Sequence, residues 1–231
     1  MKAYINGHEV SFEENETILQ VARRNGHFIP SLCELVDLDH FPGTCRVCLV
    51  EITRPGEDHN HMVTSCDTPL EEGMQVYSRT RKVREAQRMQ VEMLLADHDQ
   101  DCAACMRHGD CELQDVAQFV GLGQTRPRYA HFPTRRDRDT SSKAVVRDMS
   151  KCIRCFRCIT VCRDIQAVDA LVITHHGLAT QIGLRDSDTQ AASDCTSCGQ
   201  CVLVCPVGAL SEGDETEQVV VTQFGKLVGE P

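Results

Sequence analysis

The sequence predicts an α+β protein assembled from small modules, each organised by a cysteine-rich loop rather than by one large apolar core. Three observations lead there. The 231 residues include fifteen cysteines and no Trp, and only 4% are aromatic, so large side chains are too few to fill a single core. The cysteines fall into four groups separated by ordinary sequence. Between them, strand-like and helix-like periodicities come in short runs.

The elements follow in order. AYINGHEVSF carries Asn6-Gly7 between two strand-like runs, the pair that favours a two-residue hairpin turn. Thr17 precedes ILQVARRNG, where Ile18, Val21 and Ala22 share a helical face and Gly26 suits the C-terminal cap. RVCLVEIT at 46–53 and MQVYS at 74–78 read as further strands. In 79–98, Val83, Ala86, Met89, Met93 and Ala96 recur at steps of three and four, which predicts an amphipathic helix with those residues facing the core. Residues 124–145 are polar, contain Pro127 and Pro133, and read as an extended linker; VVVTQF at 219–224 is strand-like.

An odd number of cysteines does not close a framework of disulfide pairs. The start, MKAYINGHEV, lacks the apolar stretch of a secretory leader, and no run approaches about eighteen apolar residues. A cytoplasmic chain with reduced, metal-binding thiols is expected. Its net charge of −10 disfavours a general nucleic-acid binder. The charge is uneven. Residues 126–163 hold eleven Lys or Arg against three Asp, a local +8 that leaves −18 elsewhere. That stretch reads as a solvated loop, as compensation for an anionic inorganic centre, or as a docking face for an acidic partner.

KCIRCFRCITVC supplies Cys152, Cys155, Cys158 and Cys162; DCTSCGQCVLVCP supplies Cys195, Cys198, Cys201 and Cys205. Both read C-x2-C-x2-C-x3-C, the bacterial [4Fe–4S] run, and together they form an internal repeat. Three thiolates at steps of three let one loop wrap a cubane. In two-cluster ferredoxins the fourth cysteine of each run ligates the other cluster. Carried over, Cys152, Cys155, Cys158 and Cys205 form one set, and Cys195, Cys198, Cys201 and Cys162 the other. A zinc site would ask for two C-x2-C knuckles further apart. Only the second run keeps a following proline, Pro206, where the first has Arg163, and the long insert between runs calls for a hairpin or helix.

Cys33, Cys45, Cys48 and Cys66 are spaced C-x11-C-x2-C-x17-C, unlike plant-type ferredoxins. The set still offers a loop, a C-x2-C pair and a distant fourth ligand, which suits [2Fe–2S] and leaves zinc as the alternative; Gly43 in GTCRVC would let backbone amides approach sulfur. Cys102, Cys105 and Cys111 lack a fourth thiol. Four clusters need sixteen ligands and the chain has fifteen cysteines, so His98, at H-x3-C-x2-C-x5-C, is expected to complete that [4Fe–4S] set, while His108 reads as an ordinary surface or core histidine with a satisfied hydrogen bond.

PSLC…GTCRVC, HDQDCAACMRHGDCELQ, KCIRCFRC and CGQCVLVCPVGAL, taken in that order over residues 1 to about 212, resemble the accessory iron–sulfur region of [FeFe]-hydrogenases and of some NAD-dependent formate dehydrogenases. They are also similar to the start of the large iron–sulfur subunit of respiratory complex I and to the small diaphorase subunit of NAD-reducing hydrogenases. The resemblance implies a β-grasp [2Fe–2S] ferredoxin-like domain over 1–79 and a helical, histidine-ligated [4Fe–4S] domain over 80–123. The linker 124–145, a bacterial-type 2[4Fe–4S] ferredoxin-like domain over 146–212 and a tail over 213–231 complete it. One [2Fe–2S] and three [4Fe–4S] clusters are expected. Both cubane runs being kept places the chain nearer the hydrogenase and formate dehydrogenase regions than the complex I subunit.

No substrate site is expected: GLGQTR at 121–126 lacks the third glycine of a dinucleotide fingerprint, and no phosphate loop or Ser/His/Asp set stands out. Ending at Pro231, the chain is expected to lack a hydrogen-activating or molybdopterin domain and to work as a separate, non-catalytic subunit of a hetero-oligomer. It would relay electrons between an FMN/NAD(P)H-binding flavoprotein subunit and a second redox subunit or ferredoxin. That redox partner would be a hydrogenase, a formate dehydrogenase or a ferredoxin–NAD(P) transhydrogenase, electron-bifurcating ones included. An iron–sulfur sensor or scaffold is the competing reading; four full ligand sets without an effector domain weigh against it.

Overall fold

The computed structural model describes residues 1–36, 38, 40, 43–123, 128–129 and 138–213. Their contacts divide the chain into two compact units, one drawn from 1–34, 41–96 and 112–130, the other from 35–40, 97–111 and 131–231.

The first unit opens with β1 (Lys2–Ile5) and β2 (His8–Ser11), paired antiparallel with Ile5 opposite His8. Asn6 and Gly7 take φ of 52° and 83° between them, the two left-handed positions of the expected turn. Helix α1 (Ile18–Arg24) begins at a capping box: the Gln20 backbone N–H donates to Thr17 Oγ1 and the Thr17 N–H to Gln20 Oε1. It stops at Gly26 (φ 71°), where the His27 N–H reaches the Ala22 carbonyl and the Gly26 N–H that of Arg23. Strands β3 (Leu49–Thr53), β4 (His61–Thr64) and β5 (Gln75–Tyr77) complete a sheet of order β2-β1-β5-β3-β4, in which only β1 and β5 run parallel. Ile18, Leu19, Val21 and Ala22 of α1 pack with Ile5, Val50, Ile52 and Val76 from the sheet, and Cys48 and Cys66 belong to the same core.

Helix α2 (Arg81–Ala96) is present, but its inward stripe is not the expected one. Val83, Gln87 and Val91 are buried, whereas Met89 and Met93 are exposed. The reason is polar. The helix packs on β3, where Gln87 Nε2 donates to the Leu49 carbonyl at 2.9 Å. Glu92 is buried because Arg88 and Arg128 donate to its two oxygens, at 3.3 and 2.6 Å. Helix α3 (Glu112–Phe119), which the sequence reading did not mark, is barely more than two turns long and buries Leu113, Val116 and Ala117.

In the second unit, β6 (Arg138–Asp139), β7 (Val145–Asp148) and β10 (Leu210–Glu212) form an antiparallel sheet of order β10-β7-β6. The chain has thus entered a sheet by Arg138, inside the stretch read as linker; 124–127 and 130–137 lie outside the described residues, as does 219–224. Helices α4 (Arg157–Thr160) and α5 (Gln200–Leu203) each follow a cysteine loop, and the insert between them is a hairpin of β8 (Leu171–Thr174) and β9 (Gln181–Leu184).

Candidate iron–sulfur sites

The two cysteine runs repeat in backbone as well as in sequence. Arg154 and Phe156 take φ of 57° and 63°; at the same places in the second run Ser197 and Gly199 take 58° and 73°. These left-handed residues curl each loop around its cysteines and turn amides towards sulfur: the Arg154 N–H lies 3.4 Å from Cys152 Sγ, and the Ser197 N–H 3.4 Å from Cys195 Sγ. A π-helical turn, Val161–Ile165, follows α4 and carries Cys162. Such widened turns recur at functional sites.

The cavities then sort the thiols. Cys152, Cys155, Cys158 and Cys205 line one cavity, and Cys162, Cys195, Cys198 and Cys201 line another. Each run therefore sends its last cysteine to the other run's void. Burial, with the neighbouring thiols adding to it, pushes Cys155, Cys158 and Cys201 well above the ordinary thiol range. Burial likewise raises Cys205, against backbone hydrogen bonds and the Arg107 charge, which favour its thiolate. Four thiolates crowded around such a void are stable only with cationic charge among them, which is what iron would supply. The Arg107 Nη2 also donates to the Cys205 carbonyl at 2.7 Å. The Arg154 guanidinium, by contrast, pairs with Asp97 at 2.7 Å, so its charge is already compensated.

Cys33, Cys45, Cys48 and Cys66 are all buried. Cys45 and Cys66 hydrogen-bond to Cys33, which holds that thiol far below its ordinary value, and Cys66 also bonds Cys48 and draws it down to about 7. Strand geometry brings them together: Cys48 immediately precedes β3, Cys66 follows β4, and the Ser65 N–H donates to the Cys48 carbonyl at 3.0 Å. The Gly43 N–H donates to Cys66 Sγ at 3.1 Å. A Cβ on Gly43 would stand 2.8 Å from Asp67 Oδ2 at a φ of 75°, so the approach needs glycine.

The fourth set lies on loop 97–111, tied to the second unit by the Asp97–Arg154 pair and by the Asp99 N–H donating to the Ser150 carbonyl. Turns from Cys105 N–H to the Cys102 carbonyl and from His108 N–H to the Cys105 carbonyl coil the loop around its thiols. His98 is buried, and burial lowers its pKa, so the imidazole is neutral. It hydrogen-bonds the Lys151 backbone while Nδ1 has no partner. A neutral ring with one nitrogen fixed by a carbonyl and the other carrying a buried, unused lone pair is what a metal-ligating histidine presents. Cys105 Sγ sits where a Cβ on Gly208 would be, 2.4 Å away. Sequence reading did not mark Gly208, since the tertiary approach that forbids a side chain there leaves no local pattern. Among the described residues, no three His, Cys, Asp or Glu side chains converge on a single-ion site; in both cubane runs the thiols ring voids instead.

Comparison with known proteins matches three segments of the chain. Residues 1–81 match the 2Fe–2S iron–sulfur cluster binding domain. Residues 87–126 match the NADH-ubiquinone oxidoreductase-G iron–sulfur binding region, and 142–211 the ferredoxin-like domain of NADH-quinone oxidoreductase subunit 3. An NADP-reducing hydrogenase subunit of Solidesulfovibrio fructosivorans is 36% identical over 94% of this chain. An NADH-quinone oxidoreductase subunit of Rhizobium meliloti is 33% identical over 91%, and the alpha subunit of the NADPH-Fe(3+) oxidoreductase of Geobacter sulfurreducens 32% over 89%. The chain spans only 37%, 24% and 23% of these three relatives. A chain from the crystal structure of an NAD+-reducing [NiFe]-hydrogenase in the H2-reduced state superposes with a TM-score of 0.83 at 28% identity, covering 94% of this chain and 90% of that one. The chain therefore carries 2Fe–2S and 4Fe–4S binding domains and is similar, segment for segment, to the matching regions of NAD(P)-linked hydrogenases and NADH-quinone oxidoreductases.

Proposed function

We propose that the chain holds one [2Fe–2S] and three [4Fe–4S] clusters and relays single electrons within a cytoplasmic NAD(P)-linked complex. Cys33, Cys45, Cys48 and Cys66 would hold the first. His98, Cys102, Cys105 and Cys111 would hold the second, Cys152, Cys155, Cys158 and Cys205 the third, and Cys195, Cys198, Cys201 and Cys162 the fourth. The observation that carries the reading is the exchange of Cys162 and Cys205 between the two voids; a pair of zinc knuckles has no use for it. Bound clusters supply one-electron steps that divide the two-electron hydride equivalent of NAD(P)H. The chain's own residues supply thiolates, amide donors to sulfur and a dry surround, which are the levers on potential. The 1–79, 80–123 and 146–212 segments serve as the cluster domains, the first as a β-grasp module in keeping with its mixed sheet under α1. The partners would be an FMN/NAD(P)H-binding flavoprotein subunit and a second redox subunit or ferredoxin; the relatives' names support only membership of multisubunit NAD(P)-linked complexes. Among the described residues, no helix is long and apolar enough to cross a membrane.

Iron and sulfide analysis of anaerobically purified protein tests this directly. Two irons from one site and four from each of three give about fourteen per chain; stoichiometric zinc instead would end the proposal. Copurification with a flavin-containing polypeptide separates the relay from a sensor, which would carry an effector domain.

A further inference from the structure

We infer that His40 is a positioning residue for the cluster site of Cys152, Cys155, Cys158 and Cys205, and that through the Cys155 peptide it raises that site's reduction potential. The inference rests on the ligand map proposed above.

His40 belongs to segment 35–40, which groups with the cysteine runs in the second unit, and it is buried. Its Nε2 lies 3.0 Å from the Cys155 carbonyl oxygen and its Nδ1 2.6 Å from Thr160 Oγ1. A carbonyl only accepts, so Nε2 carries the proton. In the neutral ring Nδ1 then accepts from the Thr160 hydroxyl, itself fully buried on α4. The chain Thr160 O–H to His40 to Cys155 carbonyl fixes the peptide that leads into Phe156.

Phe156 is where the constraint is needed. It holds a left-handed φ of 63°, which an aromatic residue adopts at a cost, and the second run places Gly199, at 73°, in the same position. Glycine keeps that turn unaided; phenylalanine needs an external hold. The turn has a direct consequence for sulfur, since the next amide, the Arg157 N–H, hydrogen-bonds Cys155 Sγ. Hydrogen bonds to cluster sulfur strengthen as negative charge accumulates, so they stabilise the reduced state. Loosening the turn weakens that bond and lowers the potential.

The test is a redox titration followed by EPR on the intact, anaerobically purified chain, comparing wild type with His40→Ala and His40→Gln. His40→Ala should shift one [4Fe–4S] midpoint downward with the iron content unchanged and the other three centres serving as internal controls. His40→Gln, which keeps an N–H donor, should recover part of the shift. Full iron with four unchanged midpoints, or an equal shift at all four, overturns the role of His40 and leaves the ligand map standing. A wild-type chain without about fourteen irons overturns the ligand map itself. Should His40→Ala lose the centre, Thr160→Val decides: a smaller downward shift at the same centre supports the role, and no shift rejects it.

Discussion

Gly208→Ala should dislodge the cluster proposed at His98, Cys102, Cys105 and Cys111. The Gly208 backbone is open to alanine, but the new Cβ would stand 2.4 Å from Cys105 Sγ, with Lys151 Cδ at 3.5 Å. Unbonded heavy atoms rest at about 3.5–4.0 Å, so the sulfur must retreat by roughly 1 Å or more. A free thiol does this by rotating about χ1, whereas a thiolate bonded to iron moves only with its cluster. Ligation therefore decides the outcome. With Cys105 bonded, an overpacking cost of about 1–3 kcal/mol falls on the cluster site, and iron should drop from about fourteen to about ten per chain. Gly123→Ala is the control, because its Cβ meets nothing closer than 3.7 Å. Iron and sulfide analysis with EPR of the reduced protein reads the result. A Gly208→Ala protein with full iron and unaltered spectra would refute the placement of Cys105 as an iron ligand.

Three further changes probe other links. His98→Cys should keep a cluster but lower its midpoint potential, because replacing neutral imidazole by thiolate adds negative charge where reduction adds more; an unchanged or raised midpoint contradicts this. Ile52→Ala, in β3 and fully buried, should cost about 2–5 kcal/mol, read as an earlier urea transition of the first unit. Thr17→Ala removes one half of the capping box of α1 and should cost about 1 kcal/mol in the same measurement, with no effect on iron content.

Much of the architecture was legible because it is local. Asn6-Gly7 set a hairpin, Thr17 and Gly26 bounded a helix, and the spacing of the cysteines marked four groups before any coordinate was known. Helix α2 shows the limit. Its existence follows from periodicity, but the buried face was misread because Gln87 and Glu92 are polar residues made acceptable inside by the Leu49 carbonyl and by two arginines. Hydropathy cannot see such partners.

The sequence alone pointed to which thiols would group together, since loop lengths and C-x2-C steps restrict what a short chain can reach and the ferredoxin resemblance assigns the last cysteine of each run. It also brought out the shortage of one thiol that pointed to His98. Only the tertiary structure decided what depends on distant segments meeting. Gly208 yields its side-chain space to Cys105, and His40 reaches the Cys155 carbonyl across 115 residues of chain. The physical reason is that covalent spacing fixes short-range geometry, whereas burial, close approach and hydrogen-bond satisfaction are properties of packed neighbours that exist only once the chain has folded.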